Sequence, residues 1–340
     1  MPDSSLLHRL CARAEHRRWL LGVTASARYG SLSVALVATL GSGADSRVEV
    51  VAHRRARVPG DLRKALRKLR AGHGHSSVDA AILAAQLAER QALLLDEFAA
   101  DVAPIWNRVS AVSVHGPGIW RHQQGLIGYA GLCDAARLAD LSGLNVIDGF
   151  PNRDLAQDGR GRPLLLLPLW MLLHDARKPR AVVDWGRCVR LVNLPASRDA
   201  SAAARSTSQR IAPQTELGET LPVAIARTIR EQSPPVAEAI LCGRPLDNES
   251  FDSLRSQLAA IRLLPIEELG VEARALKPAA VALLGHLHLD QAPASVAAAT
   301  GARTPRVLGR LTPGSVVNWH RLVRELAARR PNVVTLRSAI

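Results

Sequence analysis

AVSVHGPGIWRHQ (residues 111–123), GLNVIDGFPNRDLAQDGRGRPL (143–164) and PRAVVDWGRCVRLVNLP (179–195) decide the fold. Within them the short apolar runs AVSVHG, LNVIDGF and RAVVDW each stop where Gly, Asp or His appears. Buried strands that deliver polar groups at their carboxyl ends read this way. In open α/β sheets that rim is where ligands sit. The three runs therefore predict an α/β chain with a pocket inherited for a sugar or a nucleotide.

Working outward, WLLGVTASARYGSLSVALVATL (19–40) predicts two strands joined by a tight turn around Arg28 to Ser31, with RVEVVAHRRARV (47–58) as the next strand. DLRKALRKLR (61–70) places Leu62, Ala65, Leu66 and Leu69 on one helical face and basic residues on the other, with Asp61 suited to the amino-terminal cap. A long amphipathic helix follows over 76–102, capped by Ser76 or Ser77, to cover one face of the hairpin sheet. HGPG opens a loop, CDAARLADLSG reads as helix, and LLLLPLWMLL (164–173) as an apolar helix. PRAVVDWGRCVRLVNLP is a second hairpin. Residues 196–235 are expected to form a Ser/Ala/Arg-rich linker with one short helix, and GSVVNWHRLVRELAARR a closing amphipathic helix with Trp319, Leu322, Val323 and Leu326 on one side.

At 340 residues the chain has room for two domains, and with 47% hydrophobic but only 3% aromatic residues its core must be aliphatic. The longest apolar run is too short to span a bilayer and contains a proline, so no membrane association is expected. The first residues lack the apolar block of a secretory signal, which points to the cytoplasm. Cys11, Cys133, Cys188 and Cys242 are isolated and read as small buried or half-buried residues. His73 and His75 lack partners at metal spacing, and His286 and His288 fall on opposite sides of a helix, so no metal site is expected. The formal charge of +14 is spread along the chain; its densest patch runs from Arg54 to Arg70. That patch has no interleaved aromatics and no DNA-reading motif, so it reads as a solvated helix face. Binding of nucleic acid or an anionic surface there is the alternative. Trp120, Trp170, Trp185 and Trp319 read as core or interface anchors.

The order of elements and several motifs resemble the anhydro-N-acetylmuramic acid kinase family. Gly22 to Ser33 lies where that family has G-x-x-S-G-T-S-x-D-G-x-D. HGPGIWRH is similar to its H-G-Q-T segment, and Asp134 falls at its G-[DN]-P. GFPNRDLAQDGRGRPL resembles its DFR-x-x-D-x-A-x-G-G-Q-G-A-P-L, and DWGRCVRLVNL its second hairpin. AILCGRPLDN and PASVAAATGARTPRVLGRLTPG resemble later motifs, so the likeness covers most of residues 19 to 314. It implies a two-domain α/β actin-like ATPase (sugar kinase) fold with the second domain shortened. The divisions expected are a basic leader (1–18), an N-terminal domain (19–175), a C-terminal domain (176–314) and a closing helix and tail (315–340). The reaction implied is ATP-dependent hydrolytic phosphorylation of 1,6-anhydro-N-acetylmuramic acid in cell-wall recycling, with ATP and Mg²⁺ as cofactors.

Within the resemblance, His115, Asp134 and Asp154 stand at substrate-binding positions for an amino sugar, and Gly22, Ser26, Gly186 and Gly243 at phosphate-loop positions. Each acid also has a plainer reading: Asp134 as cap of the ARLAD helix, Asp154 as cap of a helix near Leu155, and His115 as a strand end bonding nearby backbone. The chemistry-bearing positions depart from the family. G-T-S reads Ser26, Ala27, Arg28; Gly-Gly reads Gly186, Arg187; Asp-Phe-Arg reads Gly149, Phe150, Pro151; G-G-G reads Gly243, Arg244, Pro245; Lys-Glu reads Leu276, Lys277. The family's base motif D-T-G-P-G-N has no counterpart. Phosphoryl transfer depends on backbone amides at the phosphates and a carboxylate at the metal or nucleophile. The expectation is a degenerate kinase whose phosphate cradles are obstructed by Arg28, Arg187 and Arg244. The alternative is an active kinase with Asp148 or Asp184 as a relocated base. Either leaves room for a homodimer or a protein partner.

Overall fold

Along β1 (Arg18–Ala25) the residues Trp19, Leu21 and Val23 face one side and Leu20 the other, and all four are buried. A strand covered on both faces belongs in the middle of a sheet. In the computed structural model, which describes residues 17–72, 76–186, 188–214, 219–243 and 247–329, it pairs antiparallel with β2 (Ser31–Leu40) and parallel with β4 (Val109–His115). β3 (Arg47–Arg57) flanks β2, β7 (Val146–Asp148) flanks β4, and β13 (Arg310–Thr312) closes the edge against β7. The order is β13-β7-β4-β1-β2-β3.

The second sheet repeats this plan. β8 (Arg180–Trp185) pairs antiparallel with β9 (Arg190–Leu194) and parallel with β11 (Glu238–Gly243). β10 (Thr207–Arg210) and β12 (Arg262–Pro265) flank them, giving β10-β9-β8-β11-β12. In both sheets three antiparallel strands come first, and parallel strands are then added beside the first of them. This doubled motif is the two-domain actin-like fold that the sequence led us to expect.

Helices fill the faces that the alternation leaves apolar. α1 (Gly60–Ala71), α2 (Ser77–Asp101) and α3 (Ala135–Ser142) cover the outer face of the first sheet. Ser76 and Asp79 form a capping box at the start of α2, each side chain bonding the other residue's backbone amide. α1 begins after Pro59, so Asp61 lies in its first turn and is not its cap. The short α4 (Phe150–Leu155) follows β7. α5 (Leu166–Leu173) and α8 (Leu276–Leu289) lie between the sheets, while α6 (Leu221–Arg230) and α7 (Asn248–Gln257) cover the outer face of the second. α8 comes very close to β1: a Cβ on Gly22 would lie 1.9 Å from the Pro278 carbonyl oxygen.

Several boundaries differ from expectation. Residues 196–235 contain β10 as well as α6, so this stretch completes a sheet and does not simply link; TSQR escaped notice because an exposed edge strand needs no apolar side chains. IWRHQ and LIGYA, expected within a loop, form a separate hairpin, β5 (Ile119–Gln123) and β6 (Leu126–Ala130), around Gln124 and Gly125, both at positive φ. β13 joins the first sheet and α8 packs on it, so the chain returns to the first lobe from Leu276 onward. α9 (Val316–Arg329) packs back on the body through buried Leu322 and half-buried Trp319 and Leu326, whereas Val323 is exposed. Residues 1–16 of the basic leader lie outside the described residues, and Arg18 opens β1, fully buried.

Candidate functional site

The carboxyl ends of β1, β4, β8 and β11 and the start of α8 meet at a cleft. One cavity of about 530 Å³ is lined by Ser26, His115, Asp184, Gly186, Gly243 and Lys277, among others. A second of about 620 Å³ shares His115, Leu165, Asp184, Cys242, Leu276 and Lys277 with it, so the two adjoin.

His115 ends β4 at this junction. Its ring lies edge-on to Phe150, with centroids 6.2 Å apart, and burial pulls its pKa down to about 4, so the ring is neutral near pH 7. Ser26 reaches the cleft from the β1–β2 turn, but the turn is closed on itself. The Ser26 amide donates to Ser31 O at 2.9 Å, Tyr29 N donates to Ser26 O at 2.8 Å, and Ser31 N donates to Ser26 Oγ at 3.1 Å. Gly186 donates its amide to Asp184 O at 3.0 Å. Gly243 has φ +102°, and a Cβ there would lie 2.6 Å from Trp185 O, so only glycine fits where β11 passes the end of β8. Cys242 lines the cleft as a buried thiol whose pKa burial, and next the Asp184 carboxylate, push up to about 12.

The other positions taken from the sequence lie elsewhere. Gly22 does not line the cleft; it is glycine because α8 lies against it. Asp134 caps α3, accepting from Arg137 N at 3.0 Å, the plainer of its two readings. Asp154 is fully buried near the end of α4 and caps nothing. It accepts from Gly161 N at 2.8 Å and Thr300 Oγ1 at 2.7 Å, pinning the GRGRP loop. Cys188 is exposed, contrary to expectation. Arg28 is exposed and lines a separate surface depression with Arg67 and Arg70, so it does not obstruct the cleft. Arg187, Arg244, Cys11, His73 and His75 lie outside the described residues.

The fit of a metal-bound triphosphate turns on carboxylates. Asp184 is the only one among the described residues lining the two cavities, and Lys277 Nζ lies 2.8 Å from its Oδ2. β8 belongs to the second sheet and α8 packs on the first, so this ion pair spans the lobes. Asp148 is buried and held by Arg310 Nε at 2.8 Å and Nη2 at 3.1 Å. Among the described residues no cluster of three metal-ligating side chains occurs. These residues do not fit Mg²⁺.

Cations dominate instead. Arg54 and Arg55 project to opposite faces of β3, so the basic patch read from sequence is divided: Arg54 pairs with Asp101 and Glu97 of α2, and Arg55 lines the cleft. Arg160, Arg162 and Arg190 line the second cavity, and Arg274 the first. The sequence carried a signal for two of them, since GRGRP puts arginines where the family pattern has Gln and Ala. Arg55, Arg190 and Arg274 carried none until the register was known.

The sequence profile of the anhydro-N-acetylmuramic acid kinase family matches residues 18–202 and 200–314. Proteins named anhydro-N-acetylmuramic acid kinase are similar to this chain. That of Ralstonia nicotianae (strain ATCC BAA-1114 / GMI1000) is 26% identical over 341 residues, covering 75% of this chain and 88% of that one. That of Bordetella avium (strain 197N) is 25% identical over 280 residues, covering 61% and 74%. That of Variovorax paradoxus (strain S110) is 32% identical over 158 residues, covering 45% and 42%. Of solved structures, component A of (R)-2-hydroxyglutaryl-CoA dehydratase from Acidaminococcus fermentans overlays with a TM-score of 0.34 and 10% identity, covering 78% of this chain and 96% of that one.

Proposed function

The chain belongs to the anhydro-N-acetylmuramic acid kinase family, and from that premise we propose that it is a divergent member that binds a ligand in the family's cleft without transferring phosphate. The observation that carries this reading is the Asp184–Lys277 pair. Phosphoryl transfer to an anhydro sugar opened by water needs a carboxylate free to take a proton and others to hold a metal. Among the described residues, the one carboxylate lining the two large cavities, Asp184, is paired with the Lys277 ammonium at 2.8 Å. Asp148, Asp154 and Asp134 are held by Arg310, by Thr300 and Gly161, and by the α3 amide. An amino sugar, a role linked to cell-wall recycling and a cytoplasmic location are part of the same proposal.

The test is incubation of purified protein with MgATP and 1,6-anhydro-N-acetylmuramic acid, following the phosphorylated sugar. No product and no thermal shift with MgATP are expected, since a ligand bound only by the folded state must stabilise it. A second reading, an active kinase, is favoured by the place of Asp184 between the two cavities. Turnover that Asp184→Asn abolishes would establish it in place of the first.

A further inference from the structure

Among the described residues, six cationic side chains line the adjoining cavities against the one carboxylate of Asp184: Arg55, Arg274 and Lys277 in one, Arg160, Arg162, Arg190 and again Lys277 in the other. Two of the six are engaged. Lys277 holds Asp184, and Arg160 donates to the Ala299 and Thr300 carbonyls. The guanidinium groups of Arg55, Arg162, Arg190 and Arg274 make no hydrogen bond or ion pair with another described residue; that of Arg162 only lies over the Trp120 ring, 5.0 Å from its centroid. Four guanidinium groups around one cleft, on separate strands and loops and without a counter-charge among the described residues, set up a field that favours a multiply charged anion. The start of α8 opens into the same space with no side-chain cap, adding the positive end of its dipole.

We propose that the cleft takes a phosphate-bearing small molecule as a free anion, with Arg55, Arg162, Arg190 and Arg274 supplying the counter-charge that a metal ion would otherwise supply. A guanidinium presents two parallel N–H donors that match two phosphate oxygens, and it is less strongly hydrated than an ammonium. A monocarboxylate would leave most of the four unsatisfied; a phosphate monoester or diphosphate would not. A metal bound to the ligand works against this site, because it removes anionic charge from the ligand and finds no free carboxylate. The inference rests on the reading that phosphoryl transfer has been lost.

The test is calorimetric titration of the full chain at low salt in EDTA with pyrophosphate, with ATP and with N-acetylglucosamine 6-phosphate. The three probes separate a bare phosphate, a nucleotide and a sugar phosphate as sources of the group. Saturable binding of at least one is expected, weakened when excess Mg²⁺ replaces EDTA. Arg190→Ala and Arg274→Ala, both exposed positions, should each lower the affinity about tenfold, while Lys64→Ala/Arg67→Ala on α1 should leave it unchanged. Absence of saturable binding by all three, binding that requires Mg²⁺, or an equal loss in the α1 variant would each overturn the inference. Mg²⁺-dependent binding without turnover would remove this inference alone; Mg²⁺-dependent binding with turnover would remove the proposed function as well.

Discussion

Arg310 and Asp148 are register partners across β13 and β7, and the guanidinium closes on the carboxylate through hydrogen bonds of 2.8 and 3.1 Å. Asp148 is buried and Arg310 largely exposed, so the pair acts chiefly to neutralise the acid. Arg310→Ala should cost about 2 kcal/mol, below the usual loss for a fully buried pair. Urea unfolding measures it, and Arg310→Ala/Asp148→Asn should recover at least half.

A larger loss is expected at Arg18. Its Nη1 lies 2.6 Å from Asp290 Oδ1, its Nε 2.6 Å from Glu325 Oε1, and its side chain is fully buried. Arg18→Met removes the buried cation shared by Asp290 and Glu325 and should cost about 3–5 kcal/mol. Deleting residues 315–340 removes Glu325, Leu322 and Asn318 together and should lower Tm markedly.

Gly22 tests helix packing against nucleotide binding. In Gly22→Ala the new Cβ meets backbone atoms of α8, 1.9 Å from Pro278 O and 2.5 Å from Ala282 N. Stability should fall by about 3 kcal/mol or more, seen as a lower midpoint in thermal unfolding. Unchanged stability would mean that α8 does not seat as described.

His115 makes stability depend on pH. Burial lowers its folded pKa from 6.5 to about 4. Between those values the unfolded chain carries a proton that the folded chain refuses, so this contribution is complete above pH 6.5 and is lost as pH falls toward 4. His115→Gln should therefore flatten the stability–pH curve in that window. The readout is urea midpoint against pH, compared with the parent chain.

Much of the fold was legible because its central strands are apolar on both faces. WLLGVT, LSVALVAT and RAVVDW admit few other readings. TSQR was hidden because β10 lies at an edge, where polar residues serve as well as any. The cleft was legible in part: His115, Ser26, Gly186 and Gly243 do meet there. Asp134 and Asp154 do not, because a capping carboxylate and a ligand-binding one look alike until their hydrogen bonds are known. The Asp184–Lys277 contact joins residues far apart in sequence, across two sheets, and no local pattern encodes it. Arg55 entered the reading as one member of a charge run, and only its register on β3 separates it from Arg54.

The course of α8 bears on how the molecule can be divided. The polypeptide leaves the first lobe after α5 and re-enters it at Leu276, so the layer beneath Leu20, Ala35 and Ala111 is supplied from the far end of the chain. A translation product stopped at residue 175 would expose that apolar underside and should aggregate. The lobes are therefore tied by two chain crossings, one after α5 and one before α8.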